Sequence, residues 1–225
     1  MRRSIRIVAT LMITVGVLTL AWVVVVWRWQ DPFTAIYTHF EQERLSHAYD
    51  KRAAAFHPRL SQRDLASNDT AVAAEARAYA HTLHRGDPVG RITIGRIGLH
   101  MVVVQGTDES TLEKGPGHYL ASGLPGEGRL IYIAGHRTTF LAPFADINDI
   151  KVGDYVELQV PYGVFTYRVF RHYVVPDDDI SVLRDTGREI LRLQACHPRF
   201  FATHRYIVDA KLAGVSSPSF KRAAS

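Results

Sequence analysis

The stretch Glu189-Ile-Leu-Arg-Leu-Gln-Ala-Cys196-His-Pro-Arg-Phe-Phe-Ala-Thr-His-Arg205-Tyr-Ile-Val-Asp-Ala-Lys-Leu212 decides how this chain is read. Two runs rich in Leu, Ile, Val and Tyr flank a loop of eight residues that contains Pro198. Such runs, bounded by a turn, read as two strands of a hairpin. The first ends on Cys196 and the second opens on Arg205. Paired antiparallel, the two residues stand at one end of the sheet, across from each other. A guanidinium beside a thiol favours the thiolate and can stabilise an oxyanion.

Cys196 is the chain's one cysteine. That excludes an intrachain disulfide framework, a CxxC redox pair and a multi-cysteine zinc site. What remains is a reactive thiol, an intermolecular bridge, or a buried cysteine packing as a small hydrophobe. A thiol nucleophile needs an imidazole partner, and there are 11 histidines. His136 is favoured because it follows the strand-like run Leu130–Ala134 and the strand-breaking Gly135. Loops at strand ends are where rigid scaffolds present chemistry. His197 and His204 stay in play by proximity in sequence.

Working outward, the region 87–214 carries the pattern of a β domain. Expected strands are Arg91–Ile94, Met101–Val104, Leu130–Ala134, Tyr155–Val160, Val164–Val175, Glu189–Ala195 and Arg205–Leu212. Gly115-Pro116-Gly117, Pro125-Gly126, Gly153-Asp154 and Pro161-Tyr162-Gly163 mark turns. Regularly spaced short strands point to a mostly antiparallel barrel or sandwich. Short helical stretches are expected at Pro143–Ile147 and Asp179–Arg184. Asp178 or Asp179 caps the second, because Asp177-Asp178-Asp179 lacks the alternating oxygen ligands of a calcium loop. His118 and Tyr119 read as the flank of a turn.

The region 29–86 is poor in Val and Ile and reads as a helical stalk and spacer. Helices are expected at Ile36–Arg44 and Thr70–Leu83, the second capped by Asn68 or Thr70. Residues 1–28 read as a cytoplasmic N-terminus and membrane anchor. Ile7 to Trp27 holds no charge and no proline, long enough to cross a bilayer as a helix. Arg2, Arg3 and Arg6 precede it, while acids and bases balance from Trp29 to Leu60. The positive-inside rule then places the N-terminus in the cytoplasm and the rest outside. Trp22, Trp27 and Trp29 gather near the outer end. A cleaved signal peptide is disfavoured, since its shorter apolar core would end at a small-x-small site. The polar tail, 215–225, reads as frayed. The net charge of +5 comes from scattered residues, so a nucleic-acid partner is not expected.

Longer strings then resemble a known family. Gly135-His136-Arg137-Thr138-Thr139-Phe140 with Ala142-Pro143-Phe144 is similar to the histidine segment of sortases. Leu193-Gln-Ala-Cys196 through Arg205-Tyr-Ile-Val resembles their cysteine–arginine segment. Val104-Gln-Gly106-Thr107, Gly115-Pro-Gly-His-Tyr119 and Leu124-Pro-Gly126 resemble the family's earlier stretch, in order. The details look nearest to actinobacterial class E enzymes. The resemblance implies a closed eight-stranded β-barrel and a cysteine transpeptidase without cofactor or metal. Cys196 would be the nucleophile, His136 the acid and base, and Arg205 the holder of the carbonyl or oxyanion. Thr138, Thr139, Ala195 and Tyr119 would touch substrate. That substrate would be a secreted protein with a C-terminal LPXTG- or LAXTG-type sorting signal, cleaved after threonine. The acceptor would be an amine of a cell-wall precursor or a pilin. Ala195 and Tyr206 depart from the threonine and leucine common in the family. Two rivals are an L,D-transpeptidase, whose Ser-His-Gly-Cys signature is absent here, and a non-catalytic anchored binding module.

Overall fold

A computed structural model describes residues 2–29 and 32–218. The tail read as frayed lies, beyond residue 218, outside the described residues, as do the side chains of the tryptophans at 27 and 29. Helix α1 (Arg2–Trp29) is followed by α2 (Pro32–Ala55), α3 (Gln62–Ser67) and α4 (Asp69–Ala80). Strands β1 (Pro88–Ile94) and β2 (Leu99–Gln105) come next, then the short helix α5 (Glu109–Leu112) and β3 (Gly117–His118). The remainder is β4 (Leu130–Ala134), β5 (Tyr155–Val160), β6 (Gly163–Pro176), β7 (Ile190–His197) and β8 (His204–Ser216).

The eight strands close into a barrel in the order β1-β2-β3-β4-β7-β8-β6-β5. Closure leaves no sheet edge to template aggregation. The barrel is not wholly antiparallel: β2 runs parallel to β3 and β4 parallel to β7. Strand β3, only two residues long, lies in a segment that reads as a turn in the sequence. Alternation sorts the side chains. On β7, Leu191, Leu193 and Ala195 enter the barrel core, where all three are fully buried. Arg192, Gln194 and Cys196 therefore share the outer face. Of the two short stretches expected to be helical, 180–183 is a 3-10 turn capped by Asp179, whose side chain accepts from Ser181 N. The other falls later than expected, at 147–149.

The helices of the expected spacer lie against the barrel. Ser61 caps α3 in a capping box with Asp64, and Asn68 caps α4 by accepting from Ala71 N at 3.1 Å. From α4, Val72, Ala76 and Tyr79 join the barrel core together with Leu65 of α3. Tyr79 packs edge-on to Phe56 and Tyr162, and its hydroxyl donates to Val89 O at 2.9 Å. Helix α2 docks through polar side chains. Gln42 Nε2 donates to Val102 O (3.0 Å) and Lys114 O (2.7 Å), while Gln42 Oε1 accepts from Val102 N (2.7 Å). Thr38 donates to Glu113 O at 2.8 Å, and Tyr49 to Gln159 O at 3.1 Å. Leu45 packs on Val102 and Val104. Gly115, at φ +151°, leaves room for Gln42; a Cβ there would collide with its amide. Helix α1 carries a 22-residue stretch, Arg3–Val24, long and apolar enough to cross a membrane, with none of it buried in the protein.

Candidate active site

Three adjacent strands, β4, β7 and β8, end or begin at one rim of the barrel. In the parallel β4–β7 pair, Ala134 stands opposite Gln194. Two residues further on in each chain come His136, in the loop after β4, and Cys196, still within β7. Gly135 N donates to Gln194 O at 3.0 Å and keeps that register going. In the antiparallel β7–β8 pair, Cys196 stands opposite Arg205. Register thus brings the three candidate residues to one rim, with Cys196 on the strand between β8, where Arg205 stands opposite it, and β4, which His136 follows.

Each member is held differently. Gly135 lies under the Phe144 ring, where a Cβ would come within 2.7 Å of a ring carbon. Phe144 N donates to His136 O at 3.1 Å, and the imidazole is tilted against Phe140 with centroids 5.2 Å apart. His136 Nε2 is buried with no hydrogen-bond partner among the described residues. Buried polar atoms are normally paired, and the exceptions gather at working sites. Burial holds the His136 pKa below the usual imidazole value, and the carboxylates of Glu113 and Glu109 partly offset it. At neutral pH the ring is then mostly neutral, the form that accepts a proton. Cys196 is half-buried, with no second cysteine in the chain to pair with. Arg205 donates to Ala202 O (2.7 Å) and His204 O (3.0 Å) of its own loop, and lies 4.0 Å from Asp177.

A residue that the motif reading passed over joins the two sides. Arg137 follows His136, is buried, and sends Nη1 to Cys196 O at 3.1 Å, 3.0 Å from His197 Nδ1. Its Nε donates to Ala145 O at 3.3 Å and its Nη2 to Asn148. One guanidinium thus ties the histidine loop to the backbone of the cysteine. A buried cation with that many acceptors is legible in sequence only as an arginine beside the candidate histidine.

An apolar floor extends from this rim along the outer face. Tyr132, Ala134, Val182 and Ile207 are buried there, with Tyr119, Tyr173 and Leu183 against them. Tyr119 stacks edge-on to Tyr132, at 6.0 Å, and the Tyr132 hydroxyl donates to the Gln194 amide oxygen. Thr138 and Thr139 are half-buried in the loop after His136. Ala195 departs from expectation: its methyl packs in the barrel core, because alternation turns it away from the face that carries Cys196. His118 also faces inward, buried between Gln105 and Gly123. His197 and His204 stand opposite each other beyond Cys196 and Arg205.

Comparison with known proteins gives the same direction. Residues 92–213 match the model of the sortase domain. Sortase D of Bacillus subtilis (strain 168) is 35% identical over 130 residues, covering 56% of this chain. The chain spans 64% of that relative's length. The Sortase D5 transpeptidase of Clostridium perfringens superposes with a TM-score of 0.62 at 25% identity, covering 77% of this chain and 99% of that one. Sortase E of Streptomyces avermitilis superposes with a TM-score of 0.54 at 30% identity, covering 60% of this chain and 93% of its own. With more than half of its residues matched to that domain and the same closed barrel, the chain belongs to the sortase family.

Proposed function

We propose that the protein is a membrane-anchored cysteine transpeptidase. Neutral His136 takes the thiol proton as Cys196 attacks the backbone carbonyl of threonine in a sorting signal. Arg205 holds the oxyanion of the tetrahedral intermediate, where a preplaced charge acts most strongly. The intermediate collapses as His136 gives its proton to the leaving amine, and a thioester remains on Cys196. An amine, deprotonated by His136, attacks the thioester and releases the free thiol with a new amide. The sorting signal lies along the floor of Tyr132, Ala134 and Ile207, with Tyr119 on its flank and Thr138 and Thr139 at the histidine end. Ala195 contributes only backbone.

The observation that carries this reading is the placing of His136, just past β4, with Cys196 on β7 and Arg205 on β8 at one rim, and a buried histidine nitrogen unpaired among the described residues. The substrates are secreted proteins with C-terminal sorting signals, and the acceptor is a cell-wall precursor or pilin amine. Helix α1 is the anchor, with its arginine-rich end in the cytoplasm and the barrel outside. Assignment to class E, with LAXTG preferred over LPXTG, rests on the motifs. The 30% identity to a sortase E and 35% to a sortase D leave the peptide ranking to decide between classes.

The test is incubation of the full chain with LAXTG and LPXTG peptides and a glycine or diaminopimelate amine, read by mass spectrometry. The expected product is the new amide at threonine, formed faster from LAXTG and absent with Cys196→Ala. Neither peptide being cleaved would refute the transpeptidase reading.

A further inference from the structure

Helix α2 carries two stripes with the same helical spacing. Thr38, Gln42, Leu45 and Tyr49 face the barrel, and all but half-buried Gln42 are fully buried. The opposite stripe runs Ile36, Phe40, Glu43, His47 and faces away. Its first two members are apolar and bare: Ile36 is 58% exposed and Phe40 65%, with Tyr37 beside them at 43%. His39 is the polar exposed residue between them; from Glu43 on, the large exposed side chains are all polar or charged (Glu43, Arg44, His47, Asp50 and Lys51), and the other exposed positions, 48, 54 and 55, are alanines. A stripe facing only water has no reason to change character along its length.

The change follows distance from α1. Helix α1 ends at Trp29 and α2 begins at Pro32. Phe40 lies eight residues into α2, about 12 Å along its axis at 1.5 Å per residue. The three links from Trp29 to Pro32 add at most about 11 Å. The apolar part of the stripe is thus confined to the two turns that the chain tethers to the end of α1. The charged part begins where that reach grows. Aromatic and branched residues with a polar continuation are what a helix presents to the headgroup–acyl boundary of a bilayer.

We propose that the Ile36–Tyr37–Phe40 face of α2 is a lipid-contacting surface, seated in the outer interface of the bilayer that α1 spans. This rests on the anchor reading of α1. It also bears on the site, because α2 touches the histidine loop: Phe140 N donates to Thr34 Oγ1 at 3.0 Å. The catalytic rim would then be held near the membrane surface.

The test uses the full chain with Cys196→Ala, which removes the native thiol, and single cysteines at Val15, Ile36 or Lys51 carrying an environment-sensitive fluorophore. Each is reconstituted in phosphatidylcholine–phosphatidylglycerol vesicles containing lipids with nitroxides at headgroup or mid-chain depth. The expected result is mid-chain quenching at 15, headgroup-depth quenching at 36 about threefold or more above that at 51, and loss of the excess at 36 with Phe40→Glu. Quenching at 15 with equal, weak quenching at 36 and 51 overturns the lipid surface while leaving the anchor. No quenching at 15 overturns the anchor and this inference with it. A blue-shifted but unquenched probe at 36 assigns the face to a protein contact and also overturns the proposal.

Discussion

Arg137 shows what a single side chain does at this site. Its guanidinium reaches Cys196 O, Ala145 O and Asn148 from the residue next to His136, so the relative position of imidazole and thiol depends on it. Replacement by alanine is expected to lower kcat about 10- to 100-fold, the scale of a misplaced reacting group, with KM changed less than about threefold. Arg137→Lys should recover only part, since an ammonium cannot reproduce the fork. Steady-state kinetics on a sorting peptide separates these outcomes; a rise in KM with kcat intact would contradict the positioning role. A lone cysteine, a strand–Gly–His and an arginine at a strand start each carry a local signal, but the residues left His197 and His204 beside His136, and the three roles came with the family resemblance. Arg137 was not, because its partners come from 59 residues away and from a loop with no pattern of its own. Ala195 misled for the opposite reason: the family resemblance put it among the substrate contacts, and alternation turns its side chain into the barrel core.

At the scale of elements, the outer face of β6, β8 and β7 is stitched by one buried carboxylate. Asp209 stands in register with Arg171 on β6 and Arg192 on β7. It accepts from Arg192 at 2.6 and 2.9 Å and from Arg171 at 2.8 Å, with no exposure of its own. Arg192 also donates to Val182 O, which fixes the loop over the groove floor. Asp209→Ala would strand a buried cation, so a loss of about 3–5 kcal/mol is expected in urea unfolding; a loss under about 1 kcal/mol would show that water reaches the site. Strands β4 and β5 were readable to the residue from their runs of Val, Ile, Leu and Tyr. Strand β3 was not, since Gly117-His118 carries turn residues and is made a strand only by pairing with β2 and β4. The docking of α2 was hidden likewise, because Thr38 and Gln42 do by hydrogen bonds what apolar stripes usually do.

For the whole molecule, folding buries a histidine that no chemistry uses. His118 is completely enclosed, and burial lowers its pKa to about 4. An unfolded histidine titrates near 6.5. Above 6.5 neither state binds the proton, and the full stability is present. As pH falls from 6.5 toward 4 the unfolded chain takes up a proton that the fold refuses, and stability drops by roughly 3 kcal/mol from this group. Chemical denaturation at pH 7, 5.5 and 4 should show that decline, and His118→Gln should flatten it. An unchanged slope in the variant would place the pH dependence elsewhere. Strand spacing pointed to a barrel or a sandwich and only the family resemblance to a closed barrel, because closure and the two parallel pairs depend on contacts far apart in sequence.

The central claim is that Cys196 carries the substrate as a thioester. Intact-mass analysis of the full chain, quenched in acid during turnover of a sorting peptide without added amine, tests it most directly. The account predicts a mass increase equal to the peptide through its threonine, mapped to Cys196, discharged by hydroxylamine and absent in Cys196→Ala. Peptide cleavage with no adduct, or an adduct that persists in Cys196→Ala, would contradict it.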